Sequence, residues 1–144
     1  MTQPLVIVDT LIDAEPATVW DPLTQAKSPM FMGADVESDW REGSPIRMSG
    51  EFHGKSFHDH GEIRAADPGR HLAFTHISGS QPGSGNLVDI KLAPDDERTK
   101  VTLSQTPQGG RRPDEKTVAE FRKNWEAMLK GLKAAAEERA SANA

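Results

Sequence analysis

A chain of 144 residues has room for one domain with its own core and is too short for two ordinary ones. Its 35% hydrophobic and 27% charged content suits a globular protein, and a formal net charge of −5 disfavours a broad nucleic-acid surface, which needs clustered lysine and arginine. The absence of cysteine excludes disulfides and thiolate chemistry, and no stretch approaches the roughly 18 to 20 apolar residues of a membrane span.

Taken in chain order, PLVIVDTLID is apolar and β-branched enough for a first strand, and Ala14 to Thr24 reads as a short helix. Pro16 suits the first turn of that helix, Val19, Trp20 and Leu23 form its apolar stripe, and Pro22 should shorten or kink it. A second short helix or turn is expected over Gln25 to Met32. From Ala34 the pattern is that of consecutive antiparallel strands. In DVESDWREGSP, alternation puts Val36, Ser38 and Trp40 on one face of a strand, so Trp40 should point inward. Ile46, Met48, Gly50 and Phe52 alternate on the next strand, and a Gly54-Lys55 turn would set Phe52 against Phe57.

The strand from Phe57 is expected to reach about Ala65, with AADPGR as a turn, HLAFTHIS as the next strand, and GSQPGSG as a mobile loop. LVDIKLAP, containing Ile90, and TKVTLSQT complete six or seven strands around the polar turn DDER. Arg111 and Arg112 read as a solvated loop ahead of the longest helical pattern, for which Asp114 or Thr117 is the N-cap. Val118, Phe121, Trp125, Met128, Leu129 and Leu132 recur every three or four residues and form one stripe that must be buried, and Gly131 suggests a close approach of the helix backbone. The domain is expected to span 1–138, with 139–144 as a frayed tail.

The order and residues together resemble the helix-grip fold of the START and Bet v 1-like superfamily, specifically bacterial relatives of the C-terminal domain of the Hsp90 ATPase activator. The resemblance is carried by AEPATVWDPLT, VESDWREGSPI, GEIRAADPGRHLAFT, KVTLSQ and FRKNWEAMLKGLKA, which span nearly the whole chain. It implies an α+β fold: a curved six- to seven-stranded antiparallel sheet wrapped around a long C-terminal helix, with one or two short helices after the first strand. It also implies a cavity between sheet and helix, which in relatives holds lipids, sterols, polyketides or other apolar molecules. Trp40 would end a strand at the cavity edge, or simply fill core. Pro22 and the Met-rich SPMFMGAD depart from the family pattern, and Met30 and Met32 could form a pliable lid or fill gaps.

The expected ligand-binding set is Trp20, Phe31, Trp40, Met48, Phe52, Phe57, Asp59, Ile63, Phe74, His76, Ile90, Phe121, Trp125 and Met128. Asp59 and His76 draw attention because alternation turns both inward. A register with Ile63 opposite Leu72 sets Asp59 directly against His76, a pair able to orient a ligand hydroxyl or carbonyl, to act as acid and base, or to be purely structural. HDH at 58–60 is the most metal-like motif, but alternation sends Asp59 to the other face, leaving only His58 opposite Glu51 and His60 opposite Ser49. No metal or cofactor is expected. No serine elbow, phosphate-cradling loop or H-E-x-x-H is present in the sequence.

The leading expectation is a carrier or sensor of a small hydrophobic molecule, as a cytoplasmic monomer or weak homodimer with no nucleic-acid partner and no membrane insertion. The alternatives are a cyclase, dehydratase or hydrolase using Asp59 and His76, and a co-chaperone-like interaction module. Hsp90 is not the expected partner, since the eukaryotic activators carry an additional N-terminal domain for which this chain has no room.

Overall fold

A computed structural model of the chain describes residues 3–25, 34–52, 54–79, 85–109 and 112–142, the Phe52 side chain excepted. In chain order the elements are β1 (Val6–Ile12), α1 (Pro16–Leu23), β2 (Asp35–Ser38), β3 (Pro45–Phe52), β4 (Lys55–Asp67), β5 (His71–His76), β6 (Asn86–Asp95), β7 (Arg98–Pro107) and α2 (Glu115–Ala142). The strands form one antiparallel sheet of order β1-β7-β6-β5-β4-β3-β2. β2 to β7 follow one another as a meander, and β1 closes against β7 at the far edge. The expected α+β helix-grip architecture is the one found. The second helix expected over 25–32 and the mobile loop expected over 79–85 fall largely outside the described residues.

Period-2 alternation places Val6, Val8, Ile46, Met48, Ile63, Leu72, Phe74, Val88, Ile90, Val101 and Leu103 on the inner face, all buried. The helices cover that face with Val19 and Leu23 from α1 and Trp125, Leu129, Leu132 and Ala136 from α2. α2 lies chiefly against β1 and α1. Its side chains also serve the open edge of β1. Arg122 Nη1 donates to the Ile7 carbonyl at 3.1 Å, Lys133 Nζ donates to the Leu11 carbonyl at 2.7 Å, and Glu137 Oε2 accepts the Asp13 N–H at 2.9 Å. An otherwise unpaired sheet edge is thereby blunted.

Asp114 is the N-cap of α2: its Oδ1 accepts the Thr117 N–H at 2.9 Å, and that bond holds its carboxyl below the usual carboxylate range. The Asp13 N–H likewise holds Glu137 low, against a smaller opposing effect of burial and with help from Lys133. Pro22 is accommodated near the end of α1, where it shortens the helix to eight residues. The tail expected to fray at 139 is helical to Ala142. Ala, Glu and Arg are strong helix formers, and Arg139 ties this last turn to Gln25 Oε1 (2.6 Å) and to Asp21 (3.7 Å).

Two registers differ from expectation. Phe52 pairs with Lys55 rather than Phe57, so the hairpin turns one residue earlier, with Gly54 at φ 78° supplying the left-handed position. Phe57 therefore stands opposite Gly50, and a Cβ there would meet its ring at 3.3 Å. On β4 the pairing with β5 shifts between Ile63 and Ala65, a bulge that turns Ala66 inward and bends the strand.

Candidate functional site

Asp59 and His76 meet. Ile63 pairs with Phe74, not with Leu72, and His60 bridges Ile77, so Gly61 rather than Asp59 stands opposite His76. Because that correction is a shift of two residues, the side chains keep their faces, and the contact forms along the diagonal over a glycine that has no side chain to obstruct it. His76 Nε2 lies 2.7 Å from Asp59 Oδ2, and Asp59 Oδ1 accepts the Gly79 N–H at 3.1 Å. The carboxylate side chain is only 14% exposed and the imidazole 32%.

Local backbone geometry makes this possible. At Gly61 a Cβ would sit 1.6 Å from the Thr75 carbonyl oxygen, so the two strands approach more closely here than any other residue allows. The ladder adjusts: Glu62 N–H donates to Thr75 Oγ1 at 2.9 Å. Gly79 and Gly85 make similar close approaches, to the His58 and His76 carbonyls respectively. With Nε2 committed to a carboxylate that can only accept, the neutral ring carries its proton on Nε2 and presents Nδ1 as the acceptor.

Asp59 borders a groove with Glu37, Arg47, Ser49, His58 and His60, while its inner-face neighbours are apolar. Met48 stands opposite Asp59 and is 5% exposed, Ile46 is fully buried, and Phe57 is half-buried. Burial along α2 is graded: Val118, Phe121 and Met128 are partly exposed, Trp125 is at the limit of burial, and Leu129, Leu132 and Ala136 are sealed. The Trp125 Nε1–H donates to Gln105 Oε1 at 2.6 Å, within the core.

Other expected residues are placed differently. Ile63, Phe74 and Ile90 were expected to line a cavity, but they have no accessible surface, so no water-sized space touches them. They are core, packed in one cluster with Val19, Leu23, Leu129 and Leu132. Trp20 is partly buried on α1 against the same cluster. β2 ends at Ser38, and Trp40 lies beyond it at φ 55°, its N–H bonded to Ser38 Oγ at 3.0 Å, so the alternation argument does not reach it. It still packs against the core, as expected, and half-buried it walls an open groove of about 480 Å³ at the β2 edge with Asp39, Pro45 and Arg47. Phe31, Met30 and Met32, and the side chain of Phe52, lie outside the described residues.

His58 and His60 point to the outer face, opposite Ser49 and Arg47 rather than Glu51 and Ser49, beside a second open groove of about 350 Å³. Among the described residues no three His, Asp or Glu side chains converge as a cation site. A second imidazole–carboxylate pair, His71 with Asp89 at 3.1 Å to both oxygens, also occupies the outer face. Sequence reading missed Gln105. Its signal was present: a polar residue at an inward position of the alternation Val101, Leu103, Gln105.

No helix among the described residues is long and apolar enough to cross a membrane. Comparison with known proteins places the chain more firmly. ChR145 from Cytophaga hutchinsonii is 30% identical, with 96% of this chain and 99% of that one covered and a TM-score of 0.75. The Aha1 dimer from Colwellia psychrerythraea is 20% identical over 92% and 96% of the two chains, with a TM-score of 0.68. DynU16, a protein of the dynemicin biosynthetic locus, is 21% identical over 90% of this chain and 45% of that one, with a TM-score of 0.74. No curated protein matches. The family model for the Activator of Hsp90 ATPase homolog 1-like protein matches residues 13–137, and the chain belongs to that family.

Proposed function

We propose that the protein binds a small, mainly apolar molecule at the less tightly packed end of the grip, between the first turns of α2 and β3 to β5, with His76 as its polar contact. The observation that carries this reading is the Asp59–His76 pair on the inner face of the sheet. A carboxylate on a core-facing surface is unfavourable unless it is fully bonded. Here two bonds hold it in place, and their joint effect is to commit one imidazole nitrogen and leave the other for a ligand. Few polar groups on a predominantly apolar lining is the composition of small-molecule sites in general.

Native mass spectrometry of protein purified from its own host tests the reading, backed by thermal shifts with fatty acids, sterols, flavonoids and polyketides. A retained mass is expected, and a ligand at 100 times its Kd should stabilise by about 2.7 kcal/mol. No retained mass and no shift in any class would overturn it. As for assembly, a weak homodimer accords with the dimeric Colwellia relative. Light scattering across a concentration series measures it, and a mass that stays monomeric would remove it.

The short His76–Asp59 bond favours a second reading, in which the protein is a cyclase, dehydratase or hydrolase of the bound molecule. Nδ1 would take a proton from the ligand while Asp59 stabilises the resulting imidazolium, a base held by an orienting carboxylate. DynU16, from a biosynthetic locus, shares the fold. Turnover of a polyketide-type ketone that falls 100-fold or more in His76→Gln would support the enzyme. Absence of turnover by the unaltered protein leaves only the carrier.

A further inference from the structure

The inner face of β7 interrupts its apolar alternation at Gln105, which is 5% exposed and sits between Val6 and Val88 on the neighbouring strands. Trp125 Nε1–H donates to its Oε1 at 2.6 Å. An indole nitrogen can only donate, so this bond settles which way the carboxamide faces: the oxygen is turned to α2 and the NH2 is left over. Nε2 has no hydrogen-bond partner among the described residues. Yet no fully buried side-chain nitrogen or oxygen among them goes unpartnered, so Nε2 must lie on accessible surface. The side chain is on the inner face of the sheet, under Trp125 of α2. A nearly buried donor left without an acceptor in apolar surroundings is costly.

We propose that Gln105 is a specificity-determining residue, held by Trp125 so that its NH2 selects an apolar molecule bearing a carbonyl-type acceptor oxygen. The proposal rests on the reading that the space between helix and sheet is the ligand site, with Nε2 opening into this gap. A carbonyl oxygen offers two lone pairs and no proton to place, which matches a group that can only donate. A hydrocarbon of the same shape would desolvate the NH2 and leave it unpaired.

The test is a matched pair of probes, 2-acetylnaphthalene and 2-ethylnaphthalene, titrated by calorimetry at pH 8 into the unaltered protein, Gln105→Glu and Gln105→Met. The ketone is expected to bind roughly 2- to 10-fold more tightly than the hydrocarbon in the unaltered protein, the worth of one hydrogen bond. Gln105→Glu keeps an acceptor for Trp125, shown by a persisting protected indole N–H resonance, but presents only oxygen to the gap. It should abolish or reverse the preference, and Gln105→Met should abolish it. Equal affinities in the unaltered protein, or a ketone preference that survives in Gln105→Glu, would overturn the role of Gln105 and leave the apolar site standing. Binding of neither probe would take away the site and this proposal with it.

Discussion

Gly61→Ala is the sharpest test of how the sheet positions its polar pair. In most strands this exchange is favourable: alanine restricts the unfolded chain, worth about 0.4–1 kcal/mol, and Gly61 does not occupy the left-handed region that would penalise a side chain. Here the added Cβ would sit 1.6 Å from the Thr75 carbonyl oxygen, where real contacts do not fall below 3.0 Å, and the obstacle is backbone rather than a side chain that can rotate away. β4 and β5 must part by more than an ångström. That separation breaks the Glu62 N–H to Thr75 Oγ1 bond (2.9 Å) and the reciprocal His60 and Ile77 bonds (3.1 and 2.7 Å).

Three bonds at about 0.5–1.5 kcal/mol each give a loss of about 1.5–4.5 kcal/mol, a large part of a typical stability of roughly 5–15 kcal/mol. Gly43→Ala is the control: nothing lies within 4 Å of its Cβ, and only its φ of 88° opposes the change, at about 1 kcal/mol. Urea unfolding with unchanged slopes compares the two. If Gly61→Ala were neutral or stabilising, or cost less than Gly43→Ala, the close approach of these strands would be refuted.

Other outcomes follow from the same contacts. Trp125→Phe should lose about 2–4 kcal/mol in urea unfolding, because it leaves the Gln105 oxygen buried without its donor and opens a void. Asp89→Ala should change stability by only about 0–1 kcal/mol, since the half-buried His71–Asp89 pair lies on the outer face of the sheet, away from the core. Asp114 and Glu137 have folded pKa values below the ordinary range, so their contribution is present above about pH 4–5 and is lost as pH falls through the folded values. The double variant Asp114→Asn, Glu137→Gln should therefore be less stable than the unaltered protein at pH 7, with the gap closing below about pH 4. Hydrogen exchange should show the turns of α2 around Val118 and Phe121 opening more readily than those around Leu132 and Ala136. Equal protection along the helix would contradict the burial gradient.

The strands and α2 were legible because each buries one face, and a buried face writes its period into the sequence. Alternation fixes which way a strand faces but cannot distinguish registers that differ by two residues, which is why both hairpins lie two residues from the expected register. The same degeneracy preserved the Asp59–His76 contact: a slip of two left both side chains inward, and Gly61 let them meet diagonally. Trp40 packs against the core as alternation suggested, but from beyond the strand, on a left-handed backbone that nothing in a tryptophan signals. The sealed state of Ile63, Phe74 and Ile90 depends on how side chains from separate elements interlock, and periodicity carries no information about that. Gln105 was visible as an exception to a pattern, and its meaning emerges only once Trp125, twenty residues on, is seen above it.

These placements divide the grip into two halves that differ in how tightly they are fastened. Toward the C-terminus of α2, Lys133 and Glu137 fasten the helix to the last turn of β1, Arg139 fastens it to α1, and the side chains between are sealed. Toward its N-terminus the fastening is sparser, Arg122 to Ile7 and Trp125 to Gln105, and the apolar residues between helix and sheet keep accessible surface. Two inward-facing polar side chains that retain an unused hydrogen-bonding atom, His76 and Gln105, belong to adjoining rungs of the sheet at this looser end: Gln105 is joined through Val88 to Phe74, two residues before His76. A fold that needed only stability would fill those rungs with aliphatic side chains, as it does at Ile90 and Leu103 one rung away. The guest proposed above would meet an acceptor and a donor on adjoining rungs of one sheet face, and so should carry both kinds of group on an apolar body.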